Sequence, residues 1–342
     1  MNEIIPLIIR WYETVRKPLP WRESPTPYHV WISEIMLQQT RIEAVIPYYR
    51  RFLAELPTVR DLASVSDDRL MKLWEGLGYY SRARNLKKAA QVIVNECGGE
   101  LPRTADELRN LPGIGDYTAG AVASIAYGQP EPAVDGNVLR IVSRITASDE
   151  DIALEKTKKT VRERLREVYP SGREAGLLTE GLMELGETVC LPNGAPKCAD
   201  CPVHGHCQAY RQGRTDDFPV KSAKKSRRIA ERTVLLLRCG DRYGIRKRDT
   251  SGMLAGMWEF PNVSGHITGK EAVENIGLSP EIREIRPVGT AKHIFSHVEW
   301  HMIGYEISVA SEDPSLTWAD AETILETYAI PTAFRYFTGL LR

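Results

Sequence analysis

The spacing of apolar residues changes near residue 216 of this 342-residue chain. Through residues 1–215, apolar residues recur at steps of three and four, which is typical of helices with one buried face. The stretch 62–99 follows this period and ends at Gly98-Gly99, a helix stop signal. Further helices are predicted over Val161–Val168, over Leu177–Val189, and from Thr104 to the break at Pro112-Gly113.

A polar and basic segment, DDFPVKSAKKSRRIA at 216–230, separates this region from the rest and predicts an exposed linker. Beyond it, RTVLLLRCGDRYGIRKRD predicts two strands around a Gly-Asp turn, and TAKHIFSHVEWHMIGYEISV predicts a second strand pair. SPEIREIRP and ADAETILETYAI are each consistent with a strand or a short helix. We therefore predict a mainly α domain at 1–215 and an α+β domain at 231–342.

Charge and hydropathy narrow the class of protein. The chain has 45 basic and 45 acidic residues, which argues mildly against a nonspecific DNA coat but leaves local basic patches open. Two such patches are Arg82, Arg84, Lys87 and Lys88, and Lys221, Lys224, Lys225, Arg227 and Arg228. No apolar run reaches the length of a membrane span, and the N-terminus is typical of an amphipathic helix. We expect a cytoplasmic protein without a membrane partner.

Cysteines are concentrated in one segment, with Cys190, Cys198, Cys201 and Cys207 in the spacing C-x7-C-x2-C-x5-C. Four thiolates at such spacing predict a metal ion or an iron–sulfur cluster, and they favour a reducing compartment. Because His204 and His206 lie between the last two cysteines, the spacing alone leaves zinc open.

A glycine-containing turn, LPGIGDYTAGA at 111–121, predicts a hairpin between two helices. Gly113 and Gly115 permit a close backbone approach, and a helix starting near Thr118 would point free N–H groups at a phosphate. An ordinary Pro-Gly turn between helices remains the alternative, but the sequence VDGN at 134–137 favours DNA binding.

Two carboxylates are candidates for acid–base chemistry. Glu34 lies in VWISEIML without a basic helical neighbour, so we expect a raised pKa and a proton available near neutrality. Asp135 precedes a predicted helix, whose N-terminus would keep its carboxylate ionised; a plain N-cap is the alternative. Two carboxylates with separated pKa values match the logic of glycosidic bond cleavage. Asn137 would position Asp135 or a water, or only cap the helix.

Several motifs together resemble the helix–hairpin–helix base-excision glycosylases, and among them the adenine DNA glycosylases of the MutY family. They are LPWRESPTPYHVWISEIMLQQTRIEAVIPYYRRF, GLGYYSRARNL, LPGIGDYTAGAVASIAYG, AVDGNVLRI, the cysteines and FSH at 295–297. The resemblance spans residues 1 to about 310. It implies a helix–hairpin–helix glycosylase domain with an iron–sulfur region, followed by a Nudix-like domain.

The resemblance also implies residue roles. Glu34 would protonate a purine ring nitrogen, and Asp135 would stabilise the sugar cation. Tyr117 stands where bifunctional relatives of the endonuclease III type carry a Schiff-base lysine, which predicts a monofunctional enzyme. Tyr117 and Arg22 would border the adenine pocket. Without the resemblance, the residues are equally consistent with a Tyr117 that only packs in the core and an Arg22 that is a surface charge.

Base flipping requires a residue that fills or wedges the stack, and the resemblance assigns Gln39 and Tyr79 to this step. A core aromatic is the alternative for Tyr79. Phe295, Ser296 and His297 match a loop that reads 8-oxoguanine, since Ser and His offer donors and acceptors to a base edge. A plain alternating strand end is the alternative for these three residues.

The resemblance favours a [4Fe–4S] cluster on the four cysteines, in a structural role. One departure is the seven-residue spacing between Cys190 and Cys198, one residue more than is usual in the family, which a turn at Asn193-Gly194 can absorb. The C-terminal domain lacks the acidic helix of Nudix hydrolases, so we expect recognition without hydrolysis.

The combined prediction is a monomeric enzyme that removes adenine opposite 8-oxoguanine or guanine in double-stranded DNA. A thymine mismatch glycosylase is the nearest enzymatic alternative. A noncatalytic lesion-binding protein is an alternative from another class, but a pure binder has no need for the pair Glu34 and Asp135. A zinc-stabilised DNA adaptor is a weaker alternative.

Overall fold

The computed structural model describes residues 1–222 and 226–342, which form two compact units. The first comprises Met1–Ser64 and Asn85–Ala223, and the second comprises Val65–Arg84 and Lys224–Arg342. Residues 65–84 therefore group with the C-terminal part of the chain, although their apolar period is continuous with that of the helices around them. In the described residues, no helix has both the length and the apolar content needed to cross a membrane.

The first unit is helical, as the apolar period predicts. Its helices are α1 (Ile5–Val15), α2 (Pro20–Glu23), α3 (Pro27–Leu37), α4 (Ile42–Glu55), α5 (Val59–Ser64), α7 (Ser81–Glu96, which begins in the second unit), α8 (Ala105–Arg109), α9 (Asp116–Tyr127), α10 (Gly136–Thr146), α11 (Glu155–Arg166), α12 (Arg173–Thr188) and α13 (Gln208–Arg211). The second unit contains α6 (Asp67–Trp74), α14 (Gly269–Asn275), α15 (Ala321–Thr327) and α16 (Arg335–Thr338).

Local signals explain the main helix boundaries. The predicted stretch 62–99 divides into α5, α6 and α7 because the Ser66 hydroxyl caps α6 and glycines with positive φ follow it. Thr104 and Glu107 form a capping box at the start of α8, as Thr104 predicts. The helix after the hairpin begins at Asp116, two residues before the predicted start.

The centre of the helical unit is α9, which packs against α3 and α12. A methyl group on Gly120 would lie 2.5 Å from the carbonyl oxygen of Pro132, so glycine permits α9 to touch the segment that leads into α10. This contact fixes the first turn of α10 relative to α3 and α9.

The second unit is built on a mixed sheet with strand order β3-β2-β1-β6-β5, in which β4 also pairs with β1 and β7 with β2. Its strands are β1 (Arg228–Cys239), β2 (Arg242–Lys247), β3 (Trp258–Glu259), β4 (Asn262–Ser264), β5 (Ile282–Ile294), β6 (Val298–Val309) and β7 (Thr317–Asp320). Strands β1 and β6 are parallel, and the other five strand pairs of the described residues are antiparallel. Both predicted strand pairs are confirmed, with Gly240 at positive φ in the first turn.

Most described residues of the predicted linker 216–230 are exposed, as the sequence predicts, but both ends of the segment belong to ordered parts of the fold. Phe218 is only 1 % exposed, and the N–H of Ile152 donates to the carbonyl of Val220, so this part packs on the helical unit. At the other end, β1 already begins at Arg228. An aromatic residue and strand pairing outweigh the polar composition there. Lys224 and Lys225 of the second basic patch lie outside the described residues.

Candidate active site

A cleft of about 760 Å³ opens in the helical unit beside α3, α9, α10 and α12. This volume is within the range of ligand pockets, about 300–1,000 Å³. The cleft brings together six of the residues singled out from the sequence, namely Arg22, Glu34, Gln39, Tyr117, Asp135 and Asn137. The remaining candidates lie in the second unit or around the cysteines.

Glu34 projects from α3 into this cleft. Burial raises the pKa of its carboxyl to about 7, and the nearby carboxylates of Glu180 and Asp135 act in the same direction. Tyr117 donates a hydrogen bond of 2.7 Å to Oε2 of Glu34 and opposes the shift. The expected raised pKa is thus supported by the geometry, although the carboxyl is hydrogen-bonded rather than unpaired.

Tyr117, in the first turn of α9, has its own pKa raised well above the usual range, first by burial and then by the charges of Glu34 and Asp135. The phenol therefore remains a hydrogen-bond donor. Its hydroxyl fixes one oxygen of Glu34 and leaves the other available to a bound molecule.

Asp135 caps α10, and its Oδ1 accepts hydrogen bonds from the backbone N–H groups of Asn137 (2.8 Å) and Val138 (2.9 Å). We expected the helix terminus to keep this pKa low. The shift has the opposite sign, because burial raises the pKa of Asp135 more than Val138, Asn137 and Arg140 lower it. The N-cap does not exclude chemistry, since the carboxylate also lines the cleft.

Asn137 fixes the second oxygen of Asp135, to which its amide donates at 3.0 Å. Arg140 in turn donates to the amide oxygen of Asn137 and to the carbonyls of Gly186 and Cys190, each at 2.8 Å. A methyl group at Gly186 would lie 2.6 Å from Cβ of Asn137, so α12 presses directly on this residue. The structure therefore supports a positioning contact from Asn137 to Asp135.

Arg22 also lines the cleft, and its side chain is only 9 % exposed, so it is not an ordinary surface charge. Its guanidinium contacts Glu180 and Glu184 on α12, each at 3.3 Å. Lys17 also pairs with Glu184, at 3.1 Å. The buried guanidinium of Arg22 and the exposed ammonium of Lys17 thus offset the cost of burying Glu184.

The glutamates of α12 are lining residues that the sequence analysis missed. Glu180, Glu184 and Glu187 recur at steps of four and three in an otherwise largely apolar segment, GLLTEGLMELGETV. This spacing places them on one helix face. Three acids on one face of an otherwise apolar helix were the signal that would have found them.

The two predicted wedge residues share an uncommon backbone conformation. Gln39, at the rim of the cleft, has φ 58°, and Tyr79, in the second unit, has φ 47°. Such conformations cost of order 1–3 kcal/mol and are often found at functional sites. Tyr79 is 45 % exposed, which excludes the alternative of a core aromatic.

Phe295, Ser296 and His297 form the tip of the β5–β6 hairpin, which the N–H of Phe295 closes by donating to the carbonyl of Val298 at 2.8 Å. The Phe295 ring packs on Trp300, with ring centroids 5.0 Å apart. Ser296 and His297 are exposed. An aromatic anchor thus presents two polar side chains to solvent, rather than a plain strand end.

The four clustered cysteines line one small cavity together with His204. Burial raises the pKa of Cys201 to about 12, and the other cysteines reinforce the shift. Arg144 donates to Sγ of Cys190 at 3.3 Å. The donor set of four sulfurs beside a guanidinium fits an anionic iron–sulfur cluster, and Gly194, with φ 73°, turns the longer first spacing. Within 1–222 and 226–342, no three His, Cys, Asp or Glu side chains form a ready site for one metal ion.

Comparisons with known proteins extend over most of the chain. Residues 32–171 match the model described as HhH-GPD superfamily base excision DNA repair protein, and residues 233–338 match the NUDIX domain. The adenine DNA glycosylase of Rattus norvegicus is 32% identical over 96% of this chain and 77% of its own length. The chain belongs to the adenine DNA glycosylase family.

Another adenine DNA glycosylase, from Schizosaccharomyces pombe, is 34% identical over 85% of this chain and 78% of its own. A solved structure of a thermostable thymine-DNA glycosylase is 29% identical, with a TM-score of 0.56, and the match covers 61% of this chain and 96% of that one. These findings confirm the predicted fold class, with a helix–hairpin–helix glycosylase domain and a Nudix-like domain.

Burial of Glu34 makes a prediction about stability. Because the folded state raises this pKa from 4.5 to about 7, the folded protein binds more protons than the unfolded chain in that interval, and stability falls as pH rises through it. Glu34→Gln should remove this loss. Urea unfolding of the helical unit at pH 5 and pH 8 should show the variant gaining about 2–3 kcal/mol on wild type between the two pH values.

The matched control is Glu43→Gln, at an exposed position of α4. It should follow wild type at both pH values. An equal pH dependence in wild type and Glu34→Gln would contradict a raised pKa at Glu34.

Proposed function

We propose that this chain removes adenine opposite 8-oxoguanine or guanine in double-stranded DNA and leaves an abasic site. The observation that carries the proposal is a protonatable Glu34 facing the same cleft as the carboxylate Asp135. Family membership makes the chain an adenine DNA glycosylase, a hydrolase of N-glycosyl bonds in base excision repair. The partner base, the roles of individual residues, a monomeric state and a cytoplasmic location are parts of the proposal.

The reaction begins with a base outside the stack, because the cleft cannot reach an atom inside a duplex. Glu34, with a pKa of about 7, gives its proton to a ring nitrogen of adenine, so that the C1′–N9 electrons leave with a neutral base. Tyr117 holds the other oxygen of Glu34 during this transfer.

Loss of the base leaves positive charge on the sugar. The Asp135 carboxylate stabilises this charge, and Asn137 keeps the carboxylate aimed by its hydrogen bond to Oδ2. A water then adds to C1′ and loses a proton to a carboxylate. Because Tyr117 offers a phenol rather than an amine, no Schiff base forms there, and we propose a monofunctional enzyme.

Gln39 and Tyr79 would enter the space that the flipped base leaves. Their positive φ angles and exposure support this role. Core packing does not explain a strained backbone at an exposed residue, and such strain is often found at functional sites. Ser296 and His297 at the hairpin tip would recognise the partner base. Their hydrogen-bond donors and acceptors would form different hydrogen bonds with guanine and with 8-oxoguanine.

Cys190, Cys198, Cys201 and Cys207 would hold a [4Fe–4S] cluster. When bound, such a cluster supplies a rigid cross-link between the end of α12 and the segment before α13. Arg140 and Arg144 of α10 already contact the Cys190 segment, so the protein's own residues connect this region to the turn of α10 that carries Asp135.

Single-turnover release of adenine from duplexes with A opposite 8-oxoguanine or guanine tests the reaction. Wild type should release adenine and leave strands that break mainly after alkali treatment. Glu34→Gln should lower the rate by about 10²-fold or more, since a general acid contributes about 10²–10⁴-fold. A folded wild type that releases thymine opposite guanine, or no base, would sink the adenine assignment.

The hairpin makes a second prediction. Ser296→Ala with His297→Ala should reduce the preference for 8-oxoguanine over guanine, while release opposite guanine changes little. The ratio of the two single-turnover rates is the measurement. Phe295 should be left intact, because its ring packs on Trp300. An unchanged ratio would remove the hairpin from lesion reading.

The cysteines make a third prediction. Protein purified without oxygen should contain iron and acid-labile sulfide and absorb in the visible region. Cys201→Ser should lose this absorption, while Cys239→Ser, outside the cysteine segment, should keep it. Stoichiometric zinc without iron or sulfide would refute the cluster and support the zinc alternative.

A further inference from the structure

The segment that carries Tyr79 is fastened to the C-terminal part of the chain. Residues 65–84 lie inside the matched HhH-GPD region, yet they belong to the same compact unit as the sheet. Within this unit, α6 precedes Tyr79 and the first turn of α7 follows it. Hydrogen bonds reach the sheet and its loops from both sides of Tyr79.

The first attachment is at the start of α6. Asp68 accepts hydrogen bonds from Nζ of Lys247 at 2.7 Å and from the indole N–H of Trp258 at 3.1 Å. Trp258 is itself fixed by an edge contact with Tyr328, with ring centroids 4.6 Å apart. Because the indole N–H and the ammonium group both donate to the Asp68 carboxylate, they fix the orientation of this side chain at the start of α6.

The second attachment is at the end of α6. Lys72 donates to the carbonyls of Leu325 and Tyr328, the second at 3.3 Å, and pairs with Glu75. Glu75 accepts from the backbone N–H of Ile330 at 2.8 Å. Lys72 and Glu75 thus engage backbone groups in the last turn of α15 and in the segment that follows it.

The third attachment is beyond Tyr79. Arg84 donates at 2.7 Å to the carbonyl of Ala255, a buried residue in the loop between β2 and β3. The turn between these attachments is itself held together. Arg82 donates to the carbonyls of Leu77 and Gly78, each at 3.1 Å, and the turn ends in the left-handed conformation of Tyr79.

We infer that the C-terminal unit positions Tyr79, so that Asp68, Lys72 and Trp258 are positioning residues for the wedge. A residue in the left-handed region persists only where its surroundings fix it, and here three attachments fix the segment on both sides. The same unit presents the Ser296-His297 tip, so one body carries both the wedge and the proposed reader. The consequence for catalysis rests on the proposed function, but the positioning itself does not.

Lys72→Met tests the inference, because it removes both carbonyl contacts and the pairing with Glu75. Hydrogen exchange at residues 76–80 should become faster than in wild type, whatever the enzyme acts on. Lys72→Arg should restore much of the protection. Trp258→Phe, which removes the indole donor to Asp68 and keeps a smaller aromatic ring beside Tyr328, should act in the same direction.

The matched control is Lys158→Met on α11, because Lys158 pairs with Glu155 at the same spacing of three. It should leave exchange at 76–80 unchanged. Unchanged exchange in Lys72→Met, in protein with a normal unfolding transition, would overturn the inference.

A double-mutant cycle with Tyr79→Ala then tests the catalytic consequence. Lys72→Met should slow adenine release by about 5- to 30-fold, the effect of one or two kcal/mol. In the Tyr79→Ala background it should slow release less than about twofold. Multiplicative effects would show that Lys72 acts independently of Tyr79 and would overturn the consequence. A wild type without adenine release would instead refute the proposed function and leave the exchange result to decide the positioning.

Discussion

The burial of the Glu34 carboxyl group is the main physical constraint on the helical unit. Glu34 lies in a cleft of the helical unit, where burial raises its pKa to about 7 and makes its charged form costly above neutrality. The protein tolerates this cost because α9, packed against α3, supplies the Tyr117 hydroxyl. A group that destabilises the fold at neutral pH is the one to which we assign the proton donor of the proposed reaction, which would be a trade between stability and activity.

The second carboxylate is held by a different device. Asp135 receives backbone N–H groups of α10, and the side chains behind it connect to the cysteine segment. Arg140 bridges Asn137 to the carbonyl of Cys190, while Arg144 contacts Sγ of Cys190. One helix therefore carries the candidate sugar-stabilising acid at its N-terminus and the anchors of the cysteine segment along its length.

The C-terminal unit contributes rigidity as well as polar groups. Its mixed sheet has apolar clusters on both faces, and the β5–β6 hairpin extends beyond them with Phe295 anchored on Trp300. The sheet and its loops also hold residues 65–84. Asp68 and Glu75 of this segment form hydrogen bonds with Lys247 and Ile330, and the helical spacing of apolar residues does not predict these contacts.

The sequence by itself determined the fold class, both strand pairs, the N-cap at Asp135, the candidate acid Glu34 and the four cysteines. These rest on local signals, namely period, capping residues and spacing, which a chain displays before it folds. Tertiary structure alone decided the rest. It raised the pKa of Asp135 by burial, brought the glutamates of α12 against Arg22, packed Phe218 of the predicted linker, and grouped residues 65–84 with the sheet. Each of these depends on partners far away in the chain, and desolvation and long-range contacts have no local signature.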